Sequence, residues 1–149
     1  MSEKHEDLGL KAVARVRGVR EQASRHALEL TVAELQRRQR RVAELTERLA
    51  SAPAVAEGTP AEVLTARLGA SNLGIVIRET KDAVADSQTL VDLDRQVWER
   101  DKARLAAVEH LLERRRERRR AERARREARE LDDIASQRWL RAREAGEIA

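Results

Sequence analysis

The fold class this sequence predicts is all-α: a long antiparallel two-helix coiled-coil hairpin with a short helix near the bend and a C-terminal helical overhang. Three observations predict it. Apolar residues recur at intervals of seven along two long segments free of proline. Both prolines, Pro53 and Pro60, fall in one break between those segments. The composition is 39% charged and 1% aromatic, with no Phe or Tyr, so the chain lacks the bulky side chains a globular core draws on. A thin seam between two helices needs one apolar stripe per helix, which this composition supplies.

The first helix is expected over about 8–50. Leu28, Leu35, Val42 and Leu49 are spaced by sevens as a seam requires, and a second stripe runs through Val13, Val16, Ala23, Ala27 and Leu30. Residues 51–59 read as a linker. Thr59, Pro60 and Glu62 then form a helix start, with Thr as cap, Pro at the first position and Glu three residues after the cap. A short helix over 60–69 follows. Gly69, Ser71, Asn72 and Gly74 weaken the helix there and favour a bend.

The second long helix is expected over about 72–143. Ile77, Val84, Val91, Trp98, Leu105 and Leu112 fill every seventh position, and Val76, Ala83, Leu90 and Val97 flank them. The half-positions Thr80, Ser87, Asp94 and Asp101 are polar, a device that specifies register at some cost in stability. If Leu49 packs near Ile75, Leu8 lies opposite residue 116 or so. The second helix then outruns the first by roughly 30 residues, at ~1.5 Å each. That overhang must rely on helix propensity and on pairs such as Arg118–Glu122 and Glu122–Arg126. The whole chain reads as a single coiled-coil domain.

Most catalytic chemistry lacks its residues. Gly69 and Gly74 have the spacing of half a phosphate-binding loop, but Ile75 and Val76 stand where Lys and Ser or Thr are needed. His5, His26 and His110 are scattered, and no Cys is present for a thiolate site. Asp132 and Asp133 are adjacent, so on a helix they do not share a face. Six Ser residues lack any nucleophile-elbow context. The expectation is a non-enzyme with no cofactor and no metal. No stretch approaches the roughly 20 apolar residues of a membrane span, and the charged start does not resemble a secretory signal. A cytoplasmic location is expected.

The formal net charge is +4, but residues 114–130 alone hold ten Arg and four Glu, so the remainder is slightly acidic. Three readings of this run stand. It is a solvated single helix; or a nonspecific phosphate-neutralising surface, diluted by its Glu residues and without interleaved aromatics; or a rod that docks in an acidic or carbonyl-lined protein channel, for which the guanidinium fork is suited. Trp98 reads as a seam residue. Trp139 with Leu140 lies beyond the seam, either as a partner anchor or packed locally on Leu131 or Ala135.

Several stretches together resemble the FliJ/YscO family of type III secretion stalk proteins. The layout of two long helices around a Pro-containing middle is similar. So are Leu10-Lys11-Ala12-Val13 through Val19-Arg20-Glu21, the Trp98-x-x-x-Lys102-x-x-Leu105 stretch, and the ending Glu130-Leu131-Asp132-Asp133-Ile134-Ala135, in which Asp133 takes the usual Glu place. The likeness spans nearly the whole chain.

The resemblance implies a stalk, similar to the rotor stalk of rotary ATPases. Its terminal end enters the pore of a hexameric export ATPase, and it contacts a membrane export gate protein and escorts export chaperones. Docking residues would be Arg115, Arg119, Arg123, Arg126, Leu131 and Trp139. A gate patch near the bend would involve Val42, Leu45, Leu49, Leu73 and Val76, although the aromatics common there in the family are absent. The implied chain is a monomer on its own. It binds no specific nucleic acid and is recruited to the cytoplasmic face of the inner membrane through the export machinery. The alternatives are a homodimeric structural coiled-coil scaffold and a basic nucleic-acid-binding helix.

Overall fold

A computed structural model describes residues 2–53 and 58–146, with side chains from Leu8 onward. Residues 54–57 of the expected linker and the His5 side chain lie outside the described residues. The chain forms two helices, α1 (Ser2–Ala50) and α2 (Pro60–Glu144). The described residues divide into two compact units. One is Val16–Arg104; the other joins the chain up to Arg15 with the chain from Leu105 onward.

The start of α2 is the capped terminus the sequence predicts. The Thr59 backbone N–H donates to the Glu62 carboxylate at 2.8 Å, and the Glu62 N–H approaches the Thr59 hydroxyl at 3.4 Å. The Thr59 backbone N–H, and to a lesser degree the Thr59 hydroxyl, hold the Glu62 carboxyl below its ordinary pKa by bonding its ionised form. The far end of α2 stops at Gly146, whose φ of 73° is a left-handed conformation that costs glycine nothing.

Between these ends the structure departs from expectation. The short helix over 60–69 is not separate: α2 runs without a break through Gly69, Ser71, Asn72 and Gly74. A helical glycine costs about 1 kcal/mol relative to Ala, which burial can override. Leu73 within this stretch is half-buried, and Ile77 just beyond it is buried. Likewise α1 begins at Ser2 rather than near residue 8.

In the unit Val16–Arg104 the two helices run antiparallel. Trp98 meets Glu21, its indole N–H donating to the carboxylate at 2.8 Å, and Arg38 reaches the Ala83 carbonyl at 2.9 Å. Contacts that advance along one helix therefore retreat along the other. The expected register would set Trp98 near residue 26 and Ala83 near residue 41. The observed register differs by about one helical turn, because these polar pairs, not a tight turn at Leu49 and Ile75, align the helices.

The core of this unit is a seam. Leu35, Leu45, Ile77 and Val91 are buried, while Leu28, Val42, Leu49, Val84 and Trp98 are half-buried. The α2 repeat thus faces inward as predicted. On α1 the stripe through Leu28, Leu35, Val42 and Leu49 is the inner one. Val16 and Leu30, from the other predicted stripe, are 58% and 59% exposed.

Polar residues complete the seam. Ser24 and Ser87 are buried, and each hydroxyl donates back to its own helix, to the Glu21 and Ala83 carbonyls at 3.1 and 2.9 Å. Such back-bonding satisfies a buried hydroxyl without a cross-helix partner. Arg38 also donates to Glu34 at 2.8 Å.

In the other unit the buried residue is Leu112, with Leu10, Ala14, Leu105 and Val108 half-buried around it. Arg115 and Arg119 continue the same face, half-buried. Val13 lies outside it, 44% exposed. From Arg120 to Arg141 every residue is exposed.

Candidate functional site

The stretch from Arg120 to Arg141 is the part of α2 that no other segment of the described chain covers. Its helical form follows from Ala, Arg, Glu and Leu, all strong helix formers, and from the absence of Gly and Pro. Side-chain pairs lead into it: Arg116 bonds Glu113 at 3.2 Å and Arg118 lies 3.6 Å from Glu122. Exposed pairs of this kind are worth about 0.3–0.5 kcal/mol each, too little to hold a helix by themselves.

The surface changes character along its length. Arg123, Arg125, Arg126 and Arg129 make the near part basic. The far part exposes apolar side chains: Leu131 is 67% exposed, and Ile134, Trp139 and Leu140 about half. Trp139 and Leu140 line a shallow depression with Ala135 and Ser136. The Arg143 guanidinium sits 5.2 Å from the centre of the Trp139 ring, a cation–π distance that steadies the indole while leaving half of it open. A half-exposed Trp beside aliphatic neighbours is the type of side chain that anchors protein contacts.

The expected docking residues therefore divide. Arg123, Arg126, Leu131 and Trp139 lie on the uncovered stretch, while Arg115 and Arg119 are half-buried at its root. The five residues expected near the bend do not form an open patch. Leu45 is 2% exposed; Val42, Leu49 and Leu73 are half-buried; Val76, 41% exposed, is the most open of them. Their heptad spacing puts four of the five into the seam, which accounts for their burial.

Elsewhere the described residues hold little reactive chemistry. Gly69 and Gly74 are helical, so their amides are committed to the helix ladder and cannot cradle a phosphate. Among the described residues no group of His, Asp and Glu is placed to hold a metal ion, and no helix is long and apolar enough to cross a membrane.

Two long packed helices and a long uncovered basic-to-apolar end make this an all-helical protein. Residues 7–144, nearly the whole chain, match the family model described as Flagellar FliJ protein. The chain belongs to that flagellar FliJ family, and its class is that of flagellar export apparatus components. Comparison with curated proteins and with solved structures finds no significant match.

Proposed function

We propose that the chain is a non-enzymatic stalk and chaperone-escort component of the flagellar type III export apparatus. Its terminal helix inserts into the hexameric export ATPase, and the chain links that ATPase to the export gate. The observation that carries this reading is the uncovered helix from Arg120 to Arg141 in a chain of the FliJ family. A helix that its own chain leaves bare, basic first and apolar beyond, suits a narrow protein channel that supplies acidic or carbonyl acceptors and a hydrophobic seat. The body of the stalk is an antiparallel coiled-coil hairpin, monomeric at low micromolar concentration, working in the cytoplasm and at the cytoplasmic face of the inner membrane.

The test is co-purification with the hexameric export ATPase and stimulation of its ATP hydrolysis. Trp139→Ala with Leu131→Ala, and separately Arg123→Ala with Arg126→Ala, should each weaken binding about tenfold or more, by loss of a hot-spot anchor or of charge-assisted bonds. Absence of binding by the intact chain at low salt refutes the proposal.

A further inference from the structure

The two flanks of the unit Val16–Arg104 differ in a way the seam does not require. In an antiparallel pair, the residue just before a seam position on one helix lies beside the residue just before a seam position on the other. Ala27 precedes Leu28, Leu90 precedes Val91 and Val97 precedes Trp98; one step further round lie Ala23, Leu30 and Leu93. In the register set by the Trp98–Glu21 and Arg38–Ala83 bonds, Ala23 falls level with Val97, Ala27 with Leu93 and Leu30 with Leu90.

These six side chains form one apolar flank. Leu30, Leu90, Leu93 and Val97 are 47–59% exposed. The opposite flank carries Gln22, Arg25 and Glu29 on α1 and Asp92, Arg95 and Glu99 on α2, all exposed and polar. Solvent alone would leave both flanks polar.

Charges bracket the apolar flank symmetrically about its centre at Ala27 and Leu93. Arg100 lies seven residues after Leu93 and Asp86 seven before; Arg20 lies seven before Ala27 and Glu34 seven after. Arg20, Asp86 and Arg100 are exposed, while Glu34 is half-buried and already paired with both Arg37 and Arg38. On the α2 side the flank is therefore basic at one end, at Arg100, and acidic at the other, at Asp86, at equal distances of two helical turns, ~10 Å, from the centre.

We propose that this flank is a self-association surface, occupied by a second copy of the chain. A two-fold axis through the level of Ala27 and Leu93 places Arg100 of each copy on Asp86 of the other. The same rotation lays Leu90 against Val97. The contact is isologous, as closed homodimers are. Six apolar side chains, two of them Ala, are few beside the ~20–30 residues a side of a standard stable interface, so the dimer is weak and forms at tens of micromolar and above. This goes beyond the stalk reading and is tested without the ATPase, so each can fail alone.

The experiment is sedimentation equilibrium of the full chain from about 1 µM to about 500 µM at low salt, a range that brackets a weak dissociation constant. The mass should rise from monomer toward dimer. Leu93→Glu should abolish the rise. Arg100→Glu alone and Asp86→Arg alone should each weaken it about tenfold or more, since like charges then meet. An equimolar mixture of those two variants should form a heterodimer at least as well as the unaltered chain does a dimer, because both cross-pairs become complementary. Glu99→Arg, on the polar flank, should leave association unchanged. A monomer mass throughout the range, or a mixture no better than its components, overturns the proposal. Circular dichroism of each variant registers any loss of helix separately.

Discussion

Replacing Leu45 by Ala should destabilise the chain by about 2–3 kcal/mol, whereas the same change at Leu30 should cost less than about 0.5 kcal/mol. The two residues share a helix and a type and differ in environment: Leu45 is 2% exposed, Leu30 59%. Leu→Ala removes three carbon atoms, each worth about 0.8 kcal/mol when fully buried, so transfer alone accounts for roughly 2.4 kcal/mol at Leu45. A cavity adds to that figure in a closed core, but a two-helix seam lets water or neighbours fill the space, which holds the cost near the low end. Urea unfolding followed by far-UV circular dichroism, at low micromolar protein, measures both variants against the parent. Equal losses at the two positions would refute the seam described here, since they would mean that the stripe containing Leu30 faces α2.

Three further outcomes follow from particular contacts. Arg38→Met keeps the aliphatic stem but loses the bonds to the Ala83 carbonyl and Glu34; with the side chain 38% exposed, the cost is about 1 kcal/mol by the same unfolding assay. The Glu62 carboxyl should titrate below an ordinary Glu in NMR, and Thr59→Ala, which removes the hydroxyl but keeps the backbone N–H, should undo only the smaller part of that shift. Because the folded pKa is the lower one, the cap's contribution is complete above the unfolded pKa. It is lost as pH falls through the folded one, so fraying at Pro60–Val63 should appear on acidification, not in base. Amide exchange of the free chain should fall in protection by more than about 100-fold between Val91 in the seam and Ala135 on the uncovered stretch.

The α2 seam was legible in the sequence because its apolar positions, from Ile77 to Leu112, are unbroken and its alternate positions are polar. The helix start at Thr59 was legible because a cap is a local chemical pattern. On α1 the two stripes were not separable by hydropathy: Val13, Val16, Ala23, Ala27 and Leu30 are as apolar as the stripe that is buried. What decides between them is polar. Glu21 is half-buried because Trp98 donates to it, Ser24 because its hydroxyl bonds backward, and Arg38 because a carbonyl of α2 lies within reach. These are tertiary facts, and periodicity carries no trace of them. The same bonds set the register, which a turn placed from the linker missed by about one turn. The uncovered end was legible from the inequality of helix lengths. That four of the five bend residues are inward-facing follows only once the register is known.

The uncovered helix also sets a physical condition on whatever engages it. Arg120 and Arg123, Arg123 and Arg126, and Arg126 and Arg129 stand three apart, and Arg125 and Arg129 four apart, so like charges are neighbours along this stretch of α2. Each such pair disfavours the helix by a few tenths of a kcal/mol, comparable to what one Glu–Arg pair returns. Propensity then decides the balance, and an isolated segment of about 20 residues is only marginally helical in water. A surface of negative potential would relieve the repulsion and gain hydrogen bonds in the same step, so ordering and binding are coupled for the basic stretch. For the stretch from Leu131 to Leu140 the coupling runs through apolar burial instead. In any partner that engages this helix, added salt would therefore weaken contacts of the basic stretch more than contacts of the apolar one.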